Sequence, residues 1–304
     1  MNTKRFYDYN TFLREKFGEK VYKISLDAGF TCPNRDGSKG TMGCIYCNNE
    51  SFSPAHRFPK EDLEKQILQG MEVGKRFKAN RFLAYFQAFS NTYAEVSALE
   101  KLYKKALQFP DVVGIVIGTR PDVVDLEKLQ MLEHLAKQTF VSIEYGVQSI
   151  CDETLRQINR GHTYQSFLQA MEWSKGKGIH ICAHIMLGFP GEAKGQIVQT
   201  AKEMNRVGID GVKLHNLLVV KDTQLANLYK QNPFPLLGFE EYIMIACDFL
   251  ENLSPNIVVE RLHANAPPDY LIAPHWNKSP SQIVDSIVAE LKKRESWQGK
   301  SQCP

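Results

Sequence analysis

The feature that most constrains this chain is a repeated change of hydrophobic period. Six short apolar runs read as strands: "VYKISLDAG", "RFLAYFQAF", "VVGIVIGTR", "FVSIEYGVQS", "IHICAHIMLG" and "GVKLHNLLVV". Between most of them lie amphipathic stretches of helix length, such as "PKEDLEKQILQGMEVGKRF", "YAEVSALEKLYKKALQF", "DLEKLQMLEHLAKQ" and "EAKGQIVQTAKEMNRVG". Strands that alternate with helices predict parallel βαβ units and an α/β fold.

The alternation inside each strand narrows the choice of sheet. Successive strand residues face opposite sides. Ile181, Ala183, Ile185 and Leu187 share one face, and His180, Cys182, His184 and Met186 share the other. Val141, Ile143 and Val147 oppose Ser142, Glu144 and Gln148; Ile24 and Leu26 oppose Lys23, Ser25 and Asp27; Val212 and Leu214 oppose Lys213 and His215. A closed eight-stranded barrel fills its interior with branched apolar residues. A doubly wound sheet buries both faces. Neither suits one apolar and one polar face. The pattern predicts a partial, six-unit β/α barrel over residues 1–220, with helices outside and a polar concave face. Buried polar groups need partners, so a ligand or water is expected in that concavity.

After about residue 221 the rhythm breaks. "QNPFPLLG" reads as a loop, "FEEYIMIACDFLENL" as a helix, "NIVVERLHA" as a strand, "SPSQIVDSIVAELKKRE" as a capped helix and "SWQGKSQCP" as a frayed tail. Residues 221–304 are thus expected to form a small α+β extension that caps the barrel.

Composition excludes some partners. The chain has 304 residues, 43% hydrophobic and 23% charged, in the range of globular proteins. No apolar run approaches the ~20 residues that span a bilayer, so no membrane partner is expected. The opening "MNTKRFYDYNTFLREKFGEK" lacks a signal core and a cleavage site, which predicts a cytoplasmic protein. The net charge of +3 permits nucleic-acid binding without demanding it. The basic stretches "GKRFKANR" and "LKKRE" read first as solvated helix faces and second as phosphate contacts.

Three of the seven cysteines, Cys32, Cys44 and Cys47, lie in the turn-rich segment "CPNRDGSKGTMGCIYCNNESF" after the first strand. Clustered cysteines in a cytosolic chain favour metal ligation or catalysis over disulfides. A structural zinc site wants four closed ligands, and the fourth would have to be Asp36, His56 or a distant residue. An iron–sulfur cube held by three thiolates instead leaves one iron open to a ligand. Cys151, Cys182, Cys247 and Cys303 have no ligand spacing and read as packed or tail residues. Cys182 falls on the polar face, which keeps a hydrogen-donor role open for it.

With those features in view, the chain resembles the radical S-adenosylmethionine (SAM) superfamily, and within it the YtqA/YhcC-like subgroup related to the Elongator catalytic subunit. The spacing is the subgroup's long first gap, C-x11-C-x2-C, and not the commoner C-x3-C-x2-C. The marks run through nearly the whole chain: "FTCPNRDGSKGTMGCIYCNNESF", "LAYFQAFSNTYAEV", "VIGTRPD", "EYGVQS", "INRGHTY", "GFPGE", "DGVKLHNLLVVKDT" and "LIAPHW".

The resemblance implies that Cys32, Cys44 and Cys47 bind three irons of a 4Fe–4S cluster, whose fourth iron takes the amino and carboxylate groups of SAM. Many members have a Gly-Gly-Glu turn where this chain reads "FQAFSNT", which leaves Gln87, Ser90 and Asn91 as candidates for the methionine amino group. Gln148 and Arg160 match SAM-contacting positions, and His184 matches a ribose-contacting one. "GFPGE" reads either as an adenine-side backbone contact or as a tight turn. Glu144 reads equally as a partner of a cavity Lys or Arg and as a substrate contact. Arg160 and His162 alternatively brace their loop. His215, Arg261 and His263 are substrate-side candidates.

The implied chemistry is reductive cleavage of SAM to a 5′-deoxyadenosyl radical, with an electron donor such as flavodoxin or ferredoxin. The implied substrate is the wobble uridine of tRNA, whose 5-carboxymethylaminomethyl side chain becomes 5-aminomethyl, with a separate methylase as functional partner. A radical SAM enzyme acting on a small metabolite or protein, and a non-catalytic zinc-dependent RNA-binding protein, remain the alternatives.

Overall fold

The computed structural model describes residues 5–53 and 62–302. His56, Cys303 and the first residues of the expected helix from Pro59 lie outside them. The elements begin with α1 (Tyr9–Phe17), β1 (Val21–Leu26), α2 (Asn49–Phe52), α3 (Leu63–Arg76), β2 (Arg81–Phe86), α4 (Val96–Leu107) and β3 (Val112–Thr119). They continue with α5 (Leu126–Ala136), β4 (Phe140–Gln148), α6 (Asp152–Gln157), α7 (Tyr164–Ser174), β5 (His180–Leu187), α8 (Lys194–Val207) and β6 (Gly211–Asn216). The C-terminal part adds β7 (Val219–Val220), α9 (Gln224–Gln231), α10 (Phe239–Asn252), β8 (Val258–Arg261), β9 (Leu271–Ala273) and α11 (Pro280–Lys293).

All six strands read from the sequence are present, and they pair in parallel in chain order. β8, read as part of the cap, pairs in parallel with β6 and makes a seven-stranded half-barrel. The sixth apolar run is interrupted after Asn216. Its end, Val219–Val220, pairs antiparallel with β9 as a separate two-stranded sheet. The stretch ending in "KSQ" is not frayed. Gln298 is buried, and its amide donates to the Ser254 and Ile257 carbonyls while its Oε1 accepts from Tyr7 N. One buried amide can tie down a tail that has no apolar periodicity to announce it.

The two faces sort as the alternation requires. Ile24, Leu26, Ile143, Val147, Ile181, Ile185, Val212 and Leu214 are buried against Ile67, Leu99, Tyr103, Leu132, Phe167, Met204 and Ile287 of the outer helices. Each such side chain contributes about 1.5–3 kcal/mol of burial. Helix α3 sits close on β1, since a Cβ on Gly70 would meet Ile24 Cγ2 at 2.2 Å.

At the other end of the barrel, α1 closes the bottom. Asp8 caps it, accepting from the backbone of Asn10 and Thr11. Leu13, with Tyr9, Phe12 and Phe17, packs on Val21, Leu83, Tyr85, Val116 and Phe140. The open seam between the edge strands is bridged twice. Asp8 forms a parallel bridge to Val259, and Lys23 on β1 pairs with Glu260 on β8 at 3.3 Å. Because all seven strands point the same way, the loops after them gather at one rim.

Candidate active site

A cavity of about 550 Å³ opens at that rim. Cys32, Cys44 and Cys47 line it, as do Gln87, Ser90, Gln148, Arg160 and His184. Asn91 does not. It lies beneath the wall, where its Nδ2 donates to the carbonyls of Ala88 (3.0 Å) and Gly118 (2.8 Å) and so holds the turn after β2.

The cysteine loop is built from turns. Arg35 and Asp36 N donate to Cys32 O, Lys39 N to Pro33 O, Gly43 N to Asn34 O and Cys47 N to Cys44 O. Gly43 has φ of 71°, and a Cβ there would lie 2.8 Å from Arg35 Nε. Cationic and amide donors reach the sulfurs. Arg160 Nη1 is 3.6 Å from Cys44 Sγ, Asn34 Nδ2 3.8 Å from the same sulfur, and Arg120 Nη1 4.0 Å from Cys32 Sγ. Arg120 is held in place by Asp122 and by the Arg160 carbonyl. Burial, followed by the neighbouring Cys44, pushes the Cys47 thiol up to about 11. An electron-rich group with thiolate ligands matches this set of donors.

Among the described residues no three His, Cys, Asp or Glu side chains converge on a single metal ion. In a 4Fe–4S cube each thiolate binds a different iron at its own corner. The three thiols, the two guanidinia against them and the shared cavity fit the cube.

The cavity wall next to the cysteine loop carries strained backbone. Ala88 (φ 72°) and Phe89 (φ 61°) are consecutive left-handed residues in the "FQAFSNT" turn. Gln148 (φ 72°) ends β4, where the pairing with β5 shifts register. Such conformations cost about 1–3 kcal/mol each and persist where surrounding structure enforces them. Gly146 is fixed by contact: a Cβ would lie 2.7 Å from Arg160 Nη2 and 2.9 Å from Gln148 Nε2. Gln87 Nε2 donates to Ser25 Oγ at 2.7 Å. Ser90 Oγ, Arg160 Nε and His215 Nε2 are buried and have no hydrogen-bond partner. All three line the cavity and are open to a ligand there.

Below the thiols the barrel holds a charged floor. Glu144, whose side chain is 0% exposed, pairs with Lys23 at 3.0 Å, with Lys213, and with His184 Nε2 at 2.9 Å. Glu260 pairs with Lys23, with Lys213 at 3.8 Å, and with His180 Nε2 at 3.0 Å. Lys23 and Lys213 stand over the Tyr85 ring at 4.8 and 4.7 Å. Burial would push the Glu144 carboxyl up, but Lys213 and Lys23 outweigh it and hold it well below the usual carboxylate range. Of the two readings of Glu144, the structure supplies the ion pairs. The carboxylate fixes the proton on His184 Nε2 and leaves Nδ1 as the ring's acceptor.

Other expectations sort as follows. His215, Arg261 and His263 line the cavity, but His162 and the "GFPGE" turn do not. Phe189 and Pro190 of that turn instead line a separate apolar pocket with Ile45 and Tyr46. Cys182 is buried in the floor without lining the cavity, and Cys247 packs in α10 with its thiol toward Ile287 O. Arg120, Tyr85 and Glu260 were not singled out from the sequence. The "VVER" alternation carried a signal for Glu260, since it shares a face with Val258 and opposes Val259. No spacing marks Arg120.

Similar proteins agree with this geometry. Residues 36–204 match the Radical SAM superfamily, and residues 209–293 match the Radical_SAM C-terminal domain. The match takes in Cys44 and Cys47 and begins just after Cys32. The chain is 34% identical over 301 residues to the uncharacterized protein YtqA of Bacillus subtilis, covering 98% of this chain and 92% of that one. It is 35% identical over 265 residues to protein YhcC of Escherichia coli, covering 87% and 85%. The solved structure of archaeal Methanocaldococcus infernus Elp3, with an N-terminal deletion, shares the fold at a TM-score of 0.70 and 18% identity, over 91% of this chain. The chain spans 64% of that structure's length. Members of the matched superfamily use a 4Fe–4S cluster and SAM. The half-barrel, the thiol-lined cavity and a superfamily match over more than half of the sequence lead to one conclusion: the chain belongs to the radical SAM superfamily and is an enzyme of that kind.

Proposed function

We propose that this enzyme modifies the wobble uridine of tRNA and converts its 5-carboxymethylaminomethyl side chain to 5-aminomethyl, SAM acting as the oxidant of the carboxymethyl carbon–nitrogen bond to an imine and water then releasing the two-carbon fragment as glyoxylate. The observation that carries the reading is one cavity of about 550 Å³ lined both by the three thiols and by buried polar groups without a hydrogen-bond partner, Ser90, Arg160 and His215. That volume lies within the ~300–1,000 Å³ of small-molecule sites. It suits SAM beside an extruded base better than a flat RNA platform. A base must leave its stack before chemistry on it, and an anticodon loop is already single-stranded. The resemblance to the YtqA/YhcC-like subgroup supplies the choice of base.

In this reading Cys32, Cys44 and Cys47 hold the cluster. Arg120 and Arg160 neutralise it, and Gln87, Ser90, Gln148, Arg160 and His184 orient SAM. The bound cluster and SAM supply one-electron cleavage of the sulfonium carbon–sulfur bond. The chain's own residues bind, orient and exclude water, as cofactor enzymes require. Residues 221–304 cap the cavity, with His263 and Asn265 on its wall. A bound cluster would take its electron from a donor such as flavodoxin or ferredoxin, and a methylase would take the aminomethyl product.

The test is chemical. Anaerobically reconstituted enzyme with SAM, a reductant and carboxymethylaminomethyl-uridine tRNA should yield aminomethyl-uridine, read by nucleoside mass spectrometry. Unchanged nucleosides, with 5′-deoxyadenosine formed only on adding a metabolite pool, would favour a small-molecule substrate.

A further inference from the structure

The floor of the barrel is electrically closed, with Lys23 and Lys213 set against Glu144 and Glu260. The arginines near the thiols are also engaged. Arg35 Nη2 donates to Cys47 O at 2.7 Å, Arg120 pairs with Asp122, and Arg160 Nη2 donates to Gly146 O at 2.6 Å. One cavity-lining guanidinium remains. Arg261, at the end of β8 and in register with Lys213, has no hydrogen bond or ion pair among the described residues. Beside it, on the neighbouring strand β6, His215 has a buried Nε2 without a partner. Burial, with His184 and then Arg261, holds His215 well below its ordinary value and therefore neutral. A neutral ring next to a free guanidinium forms a site for an anion, and a planar fork matches a carboxylate.

We propose that Arg261, with His215, binds the carboxylate of the substrate side chain and thereby separates the carboxymethylaminomethyl substrate from its aminomethyl product. This rests on the tRNA reading above. SAM also carries a carboxylate, but the donors against the thiols come from the cysteine loop and from the β3 and β4 side, with Arg120 and Arg160. Arg261 comes from the edge strand β8. The carboxylate leaves with the two-carbon carboxymethyl fragment, released as glyoxylate, so the tRNA product lacks the group that Arg261 holds and is released more readily.

The experiment measures binding, not turnover. Wild-type enzyme, Arg261→Gln and Arg261→Lys are reconstituted, and their affinities are compared for two tRNAs identical except for a carboxymethylaminomethyl or an aminomethyl wobble side chain. SAM affinity is measured in parallel. Wild type should prefer the carboxylate-bearing tRNA by about tenfold to a hundredfold. Arg261→Gln should bring that ratio near one at unchanged SAM affinity, and Arg261→Lys should fall between. An unchanged ratio in Arg261→Gln overturns the proposal. An equal loss for both tRNAs overturns it in favour of a backbone phosphate contact, and a loss confined to SAM overturns it in favour of the cofactor's carboxylate. Wild type that binds neither tRNA overturns the tRNA reading and this inference with it. Wild type that binds both tRNAs while Arg261→Gln discriminates as before overturns this inference alone.

Discussion

The floor and the rim of the barrel use the same residue types to opposite ends. In the floor each charge faces an opposite one: Glu144 and Glu260 share Lys23 and Lys213, with His180 on the other oxygen of Glu260 and His184 sharing Glu144 Oε2 with Lys213. At the rim the polar groups face the cavity, and several, Ser90 Oγ, Arg160 Nε and His215 Nε2, have no partner. Paired charges in a low-dielectric interior fix geometry, while unpartnered polar groups that face a cavity are open to a ligand. The floor therefore reads as scaffold, with His184 held by Glu144 at the point where it meets the cavity, and the rim as chemistry.

The sharpest way to separate them is to remove one thiol. Cys44→Ala should reduce SAM cleavage to background and abolish cluster binding, while the thermal midpoint of the apoprotein moves little. A large fall in that midpoint would make the rim structural. In the floor the order reverses. Glu144→Gln leaves Lys23 and Lys213 facing one carboxylate fewer, and breaking a buried ion pair costs about 3–5 kcal/mol. Denaturant unfolding of the apoprotein should show that loss. A change below about 1 kcal/mol would mean that water or a rearranged Glu260 compensates.

Smaller effects sharpen the rim. Gln148→Ala and Arg160→Ala should keep iron content but weaken SAM binding. Loss of one hydrogen bond to a charged group costs about 1.5–3 kcal/mol, or roughly tenfold to a hundredfold in affinity. Unchanged SAM affinity in both variants would remove these residues from the pocket. The least effect is a pH slope in the floor. Burial would raise the Glu260 carboxyl, but Lys23, His180 and Lys213 pull it down to about 2 from 4.5. A lowered folded-state value means that its contribution is present above the unfolded value and is lost as pH falls from about 4.5 toward 2. Acid unfolding of Glu260→Gln should lose part of that slope, and an identical slope would deny the assignment.

The two regions were also unequally legible in the sequence. Strand alternation placed Lys23, Glu144, His184 and Lys213 on one polar face before any coordinates, because a period of two leaves no freedom about sides. It did not reveal that β8 would complete the sheet, since a four-residue strand after a long helix has no signature of where it pairs. Glu260 and the closure of the seam were missed for that reason. The thiol spacing pointed to the rim, but Arg120 was invisible: its contact with Cys32 joins positions 88 residues apart. Asn91 shows the converse. Its place in the turn made it a candidate, yet its Nδ2 is spent on backbone carbonyls and its unpartnered Oδ1 lies outside the cavity lining.

The most direct measurement concerns what the rim thiols hold. Anaerobically reconstituted protein should carry four irons and four sulfides per chain, and the electron paramagnetic resonance signal of its reduced state should change when SAM is added. The Cys32→Ala, Cys44→Ala, Cys47→Ala triple variant should show neither. One colourless zinc per chain in the native protein, or a SAM-responsive cluster that survives in the triple variant, would contradict the assignment.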